Sequence, residues 1–437
     1  MANTNLACQP NMDPDIKTVG DMMREAGYYA AYKGKWHISE GDTTLAHYGF
    51  ADWTEGDMYG SPLEGYREDG NIAKSACHWL STKGKELNEN GRSFFLAVNF
   101  INPHDIMYYN EEASGLFGKA TVAPDDSVYT KAYNLPASAT WQEPLDKAGR
   151  PSVHKEYHDT WEKATGPNPS TSQKWQSFMD YYYNCIQDCD NQMNQVLAYL
   201  EQHDLLKNTI IIYTSDHGEL LGDHGLKGKA GNMYEKNIHV PLVIYHPEYV
   251  GGRTCKHVTS HLDLAPTFVD IATNSDAQMD SIKAGIKGYS LLPAVDNPAV
   301  DVRNGQGALF VYDMISMMDA DMVSVPLSES TVDIRVDLSK KGYLRGIITA
   351  DYKMGRYFSP LHFNTPTCLD SLYANNEVEL YEYGSDETEN LAWPKGNNEE
   401  LVTAYNNKLN ALIEREVGED NGSEVQYFKG GLMKYAK

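Results

Sequence analysis

The chain has 437 residues, 41% hydrophobic and 22% charged, an ordinary globular composition with room for one large domain and a smaller one. Its 61 acidic residues against 37 basic ones give a formal net charge of −24, which disfavours nucleic acid and anionic membranes as partners. The same field repels an anionic substrate at long range, so any anion site must be a local pocket of Lys and His.

Six cysteines, Cys8, Cys77, Cys185, Cys189, Cys255 and Cys368, are sparse and form no C-x-x-C pair. Cys185 and Cys189 fall one turn apart on an expected helix and read as buried free thiols rather than a metal or redox pair. Nothing indicates a disulfide framework. No run of ~20 apolar residues predicts a transmembrane helix. Met1 to Asp15 lacks the basic and apolar regions of a signal peptide, and localisation stays open.

In chain order, Asp15 to Ala26 predicts an amphipathic helix with Val19, Met22, Met23 and Ala26 on one face and Gly27 just past its end. Tyr28 to Tyr32 reads as a strand leading to Gly34-Lys35-Trp36-His37. A helix over Asn71 to Leu87 precedes Ser93 to Phe100, an apolar run that suits a strand buried on both faces. Residues 105–170 are rich in Pro, Ser, Thr and Tyr and read as a long excursion over the rim of a sheet. A long helix, Ser172 to His203, leads to a β-branched strand at Thr209 to Ser215. Val240 to Tyr245 is another strand and Asp263 to Ala272 another helix.

Strands alternating with helices predict an α/β domain, with a mostly parallel central sheet flanked by helices, over residues 1–300. Residues 301–437 read as a smaller C-terminal α+β subdomain. Its strands fall at Leu309–Tyr312, Tyr343–Thr349, Tyr352–Phe358 and Glu379–Glu382, and its helix at Asn397–Val417; the sheet is expected to be antiparallel.

Ligands of such sheets gather beyond the carboxyl ends of the strands. Three predicted strands end in polar clusters: Lys35/His37, Asn102/His104 and Asp216/His217. Asp216 and His217 can turn onto one cation, or Asp216 can cap the next turn with His217 on the surface. A carboxylate suits Ca²⁺, and an added imidazole shifts the preference towards Mn²⁺ or Zn²⁺. Two protein ligands are too few to close a site. Lys35 and His37, at i and i+2, share one side of an extended segment, with Trp36 facing the packing. A Lys and a His aimed together suit anion binding and proton donation to a leaving group. Lys229, in the glycine-spaced loop that follows His217, can return to the same place. Singly, each histidine is more often a structural residue than a catalytic one and a lone Lys is usually solvated, but together at the ends of separate strands they favour a site.

Gly34-Lys35-Trp36-His37 behind Glu25 to Tyr28 resembles the sulfatases of the alkaline phosphatase superfamily. So do Asn102-Pro103-His104-Asp105, Thr214-Ser215-Asp216-His217-Gly218, Lys229 with Tyr234-Glu235 and Val240-Pro241-Leu242, and Ser260 to Thr267. Gly288 to Pro293, Glu379 to Glu382 and Glu389 to Ala392 continue the pattern, so the resemblance runs from about Asp15 to Ala392. It implies a hydrolase acting on a small-molecule or carbohydrate sulfate ester with a divalent metal, most simply Ca²⁺. By position it implies Asp216 and His217 as metal ligands and Lys35 and Lys229 as sulfate-binding cations. It implies that His37 assists the nucleophile and that His104 binds the ester and protonates the leaving oxygen.

The resemblance also implies a formylglycine nucleophile in a C/S-x-P-x-R motif, after a strand with two further aspartate ligands. Fourteen residues precede Asp15, and Cys8 is followed by Gln9-Pro10-Asn11-Met12, with no Arg at the motif position. Cys8 is therefore read as an incidental thiol. An N-terminally truncated, impaired enzyme with exposed sheet edge is the expectation. Asp-His at 216–217, where many arylsulfatases show Asp-Asn, leaves open a phosphodiesterase or phosphonate monoester hydrolase. A non-catalytic, degenerate member is the third reading. Oligomeric state is left open.

Overall fold

The computed structural model describes residues 12–39, 41–58, 60–116, 123–229, 231–273, 275–313, 319–321, 331–335, 337–421 and 432–436, with 331–335 and 432–436 by backbone alone. Cys8 lies outside the described residues, as does part of the 105–170 excursion.

Helix α1 (Val19–Glu25) starts later than Asp15 because its cap is Thr18, whose hydroxyl accepts from the Asp21 N–H while the Asp21 carboxylate accepts from the Thr18 N–H. Strand β1 (Tyr29–Gly34) lies parallel to β2 (Phe94–Asn99), with Tyr29 opposite Phe94 and Gly34 opposite Asn99. Between them run α2 (Glu64–Trp79), a π-helical turn (Leu80–Gly84) and α3 (Lys85–Glu89). Helix α2 begins well before the expected Asn71. Its first turn is capped by the remote Asp105, whose carboxylate accepts from Gly65 N at 3.0 Å and Tyr66 N at 2.9 Å.

The excursion holds a 3₁₀ turn (His104–Tyr108) and α4 (Val153–Thr165), a helix the sequence pattern does not reveal. The buried face of α4 mixes His154 and Thr160 with Val153, Tyr157 and Trp161, which masks its apolar period. Then come α5 (Ser172–Gln202), β3 (Ile211–Thr214), α6 (Glu235–Ile238), β4 (Leu242–Tyr245), α7 (Leu264–Ala272), α8 (Asp276–Lys283) and α9 (Leu292–Asp296). Strands β3 and β4 pair antiparallel. On α5, Cys185 is buried and Cys189 half-buried, both as free thiols.

The C-terminal part has β5 (Ala308–Tyr312), β6 (Thr331–Arg335), β7 (Tyr343–Ile348), β8 (Tyr352–Phe358), α10 (Leu369–Asn375), β9 (Asn376–Glu382), α11 (Glu399–Glu416) and β10 (Leu432–Ala436). A four-stranded antiparallel sheet, ordered β5-β7-β8-β9, is the small sheet expected. Helix α11 covers it, packing Val402, Leu409 and Ile413 on Ile347, Met354 and Leu380. Strands β6 and β10 form a separate antiparallel pair.

Among the described residues no ladder joins β2 to β3. A cavity of about 3570 Å³ opens along both, lined by Phe95 and Val98 on one side and Ile212, Thr214 and Val243 on the other. Strand β2, expected to be buried on both faces, is half-buried throughout because it borders this space.

Candidate active site

The carboxyl ends of β1, β2 and β3 open into the same cavity. Gly34, at φ +88°, ends β1 where a Cβ would lie 2.0 Å from Asn99 O, so only glycine fits. Lys35 N still bonds Asn99 O at 3.1 Å, and the chain then leaves the sheet. Trp36 turns into the core, its indole N–H on Ser39 Oγ at 2.7 Å, while Lys35 and His37 line the cavity. After β2, the Asp69 carboxylate accepts from Ile101 N and Asn102 N at 2.7 and 3.0 Å and sets the turn that carries His104.

Asp216 and His217 follow β3 directly. Gly218 behind them packs so closely that a Cβ would lie 1.8 Å from Lys236 O. The loop onward to Lys229 is closed by Leu220 N on Gly228 O at 3.0 Å and by the Glu219 carboxylate on Gly228 N. Lys35, His37, His104, Asp216, His217 and Lys229 thus line one cavity, and the structure brings together every site residue the sequence singled out.

The charges act on one another across it. Burial, then the Lys229 charge, lowers Lys35 to about 8, so it stays mostly protonated at neutral pH. Burial also lowers Lys229, against the pull of Asp216 and Glu219. His37 is lowered by burial and by Lys35. His104 falls well below its ordinary value through burial, Lys35 and Lys229, so both imidazoles are neutral in the free cleft. Desolvation works to raise Asp216, but its cationic surroundings, with Lys229 and Lys35 among them, outweigh it and keep it ionised.

Burial followed by the Lys229 charge takes His217 down to about 4. With His217 neutral and Nδ1 2.8 Å from Gly218 O, the proton sits on Nδ1 and the Nε2 lone pair faces Asp216 Oδ2 at 3.2 Å. A carboxylate oxygen and an imidazole lone pair this close suit a divalent cation between them. Among the described residues no group of three or more His, Cys, Asp or Glu is placed to hold a metal, so the pair alone does not complete a metal site.

Sequence reasoning missed three carboxylates here. Asp57 bonds the backbone of Trp36 and His37, Glu64 acts on Lys35 and His37, and Glu219 shapes the Lys229 loop. Glu219 follows His217 closely enough to have been a candidate; Asp57 and Glu64 sit in a turn-rich stretch with no spacing signal.

The sulfatase family model matches residues 2–275, more than half of the chain. The chain belongs to the sulfatase family. Arylsulfatase K of Gallus gallus is 28% identical to this sulfatase-family chain over 312 residues, covering 66% of the chain and 54% of the relative. N-acetylglucosamine-6-O-sulfatase of Bacteroides thetaiotaomicron is 29% identical over 343 residues, covering 65% and 57%. The chain thus spans about half the length of the curated relatives it matches.

Among solved structures, one in complex with its substrate D-glucosamine-2-N,6-O-disulfate aligns at TM-score 0.60 and 20% identity, covering 95% of this chain and 85% of the other. Phosphonate monoester hydrolase of Agrobacterium radiobacter aligns at 0.62 and 18%, covering 93% and 82%. At these identities the structural likeness shows the α/β fold and the antiparallel C-terminal sheet.

Proposed function

We propose that the cleft binds and hydrolyses a sulfate ester, with a sulfated carbohydrate as the substrate class. The observation that carries this reading is the convergence of Lys35 and Lys229 with His37, His104, Asp216 and His217 on one cavity of an otherwise acidic protein. Burial lowers both lysines and the Lys229 charge lowers Lys35 further, a cost that a bound anion would offset, which is an arrangement for binding one. Lys35 and Lys229 would hold the non-bridging oxygens and stabilise charge on the transferring group. Burial is the first cause that lowers His104 and His37, and a bound anion would offset the second, the Lys35 and Lys229 charges. His104 is thereby raised towards protonation at the moment when it faces a leaving oxygen, and His37 is freed to exchange a proton beside the attacking group.

A divalent cation would be held in part by Asp216 and His217 and would add positive charge next to the transferring group. Ca²⁺ fits the carboxylate, and Mn²⁺ or Zn²⁺ fits the imidazole better. The sugar preference rests on the substrate class named for two of the relatives. We read residues 1–300 as the domain that carries the site and 301–437 as the subdomain that walls it. Tyr312, Ile348 and Tyr383 from the latter line the same cavity.

Phosphonate monoester or phosphodiester hydrolysis is the second reading, favoured by the Asp-His pair and by the likeness to phosphonate monoester hydrolases. Nitrophenyl sulfate, a nitrophenyl phosphodiester and a phosphonate monoester, assayed side by side with added Ca²⁺, Mn²⁺ or Zn²⁺, test both. Sulfate-ester kcat/KM above the other two upholds the first reading. A phosphorus ester turned over faster than the sulfate replaces it.

A further inference from the structure

We propose that Asp57 and Gly60, on the connection between β1 and α2, are positioning residues that fix the two cleft histidines, Asp57 acting on His37 and Gly60 on His104. The inference rests on the hydrolase reading above and deepens it.

His37 stands at φ +53°, in the left-handed region where a residue with a Cβ is uncommon and strained. What holds it is Asp57 Oδ1, which accepts from His37 N at 2.8 Å and from Trp36 N at 3.3 Å. Trp36 is locked in an aromatic core with Tyr32, Tyr48 and Phe50, so the turn has one fixed end. The imidazole is thereby thrown into the cavity beside Lys35. The other carboxylate oxygen, Asp57 Oδ2, is buried and has no hydrogen-bond partner among the described residues. A carboxylate kept for the backbone alone gains little from leaving one oxygen uncompensated in a buried place. Its charge acts instead on Lys35 and His37, opposing the repulsion His37 receives from Lys35 and Lys229, with Glu64 as the second acid.

Gly60 stands at φ +84°, and a Cβ there would lie 2.1 Å from His104 Nε2. The backbone of residue 60 is therefore the wall against which the imidazole rests. That wall is tied on both sides: Gly60 O accepts from the Tyr108 hydroxyl, and Gly60 N and Ser61 N both donate to the Glu64 carboxylate. Tyr108 belongs to the same 3₁₀ turn as His104, and that turn is fastened to the start of α2 through Asp105. One connection thus reaches both histidines, by a carboxylate at one point and a bare Cα at another.

The test follows imidazole NMR signals in the purified full chain, assigned with His37→Gln and His104→Gln, together with kcat and KM for a sulfate ester. Asp57→Asn keeps an acceptor for both N–H groups and removes the charge. It should lower the titration midpoint of His37, leave the His104 signals in place and reduce kcat by roughly 10- to 100-fold with little change in KM. Gly60→Ala should displace the His104 signals and leave those of His37. Tyr108→Phe, which loosens the same wall without adding bulk, should move His104 in a chain certain to keep its Gly60. An unmoved His37 midpoint in Asp57→Asn, or unmoved His104 signals in both other variants, overturns the proposal. A chain that hydrolyses no sulfate ester sinks the hydrolase reading, while the imidazole signals still decide the positioning claim.

Discussion

Two regions of this molecule bury histidines and charged groups, and they do so in opposite ways. Beneath the C-terminal sheet, His154 sits between the hydroxyls of Tyr357 at 3.1 Å and Tyr234 at 3.3 Å. Glu379 accepts from the Tyr357 and Tyr381 hydroxyls and from Met233 N. Nearby, His224 faces Glu143 and Glu387, and Lys353 bridges Glu387 and Glu235. Each cation there meets a carboxylate. At the mouth of β1–β3 the lysines instead meet each other, and each lowers its neighbours. A matched network needs nothing from outside and reads as structure. A mismatched one is completed only by a ligand, which is why the strand-end cluster, and not the larger buried network, is the candidate site.

The sharpest way to break this contrast is to remove one cation from each region. Lys353→Met takes from Glu387 and Glu235 the one cation they share and leaves only histidines, His224 and His239, beside them. It should cost about 3–5 kcal/mol of stability, read from urea midpoints. Lys229→Met removes a charge that is already ill-placed, so stability should hold or rise by about 0.5–2 kcal/mol. The same variant should lose about 1.5–3 kcal/mol of sulfate binding, measured by calorimetry. Equal destabilisation by both substitutions would erase the distinction between the regions.

The two regions should also separate by pH. The folded state holds Lys35 at about 8 against 10.5 when unfolded, so between these values the unfolded chain binds more protons. Stability should therefore rise with pH across that window, and Lys35→Met should abolish the rise. Glu379, pushed up to about 7 from 4.5 chiefly by burial, has the opposite sign. Between 4.5 and about 7 the folded state binds more protons, and stability should fall as pH rises. Glu379→Gln should flatten that fall. Denaturation midpoints across both windows check the two slopes independently.

The contrast explains what the sequence could and could not reveal. Lys35, His37, His104, Asp216 and His217 were legible because they stand at the ends of apolar strands, where an α/β sheet collects its ligands. The start of α2 was not legible, since its cap is Asp105, forty residues downstream. Helix α4 was hidden by polar residues on its buried face, among them His154 of the matched network. Asp57 carries no periodic or motif signal. It matters through contacts with backbone N–H groups twenty residues away, and no one-dimensional pattern encodes such contacts. The half-buried state of β2 was misjudged because apolar composition records what a strand prefers to touch, not what lies beside it.

The smallest effect probes the conflict between the whole surface and the cleft. The net charge of −24 repels an incoming sulfate, whereas Lys35 and Lys229 attract it only at short range. Salt screens exposed charges beyond a Debye length of about 8–10 Å, so the long-range repulsion fades first. Contacts inside the cleft are screened much less. Association of a sulfate ester should therefore speed up as ionic strength rises, by less than about tenfold, the reverse of steering by a basic surface. Stopped-flow binding at low and physiological salt reads this directly. A rate that falls with salt would mean that the cleft potential reaches well into solvent, and the local pocket would then be a basic face large enough to overrule the composition of the chain.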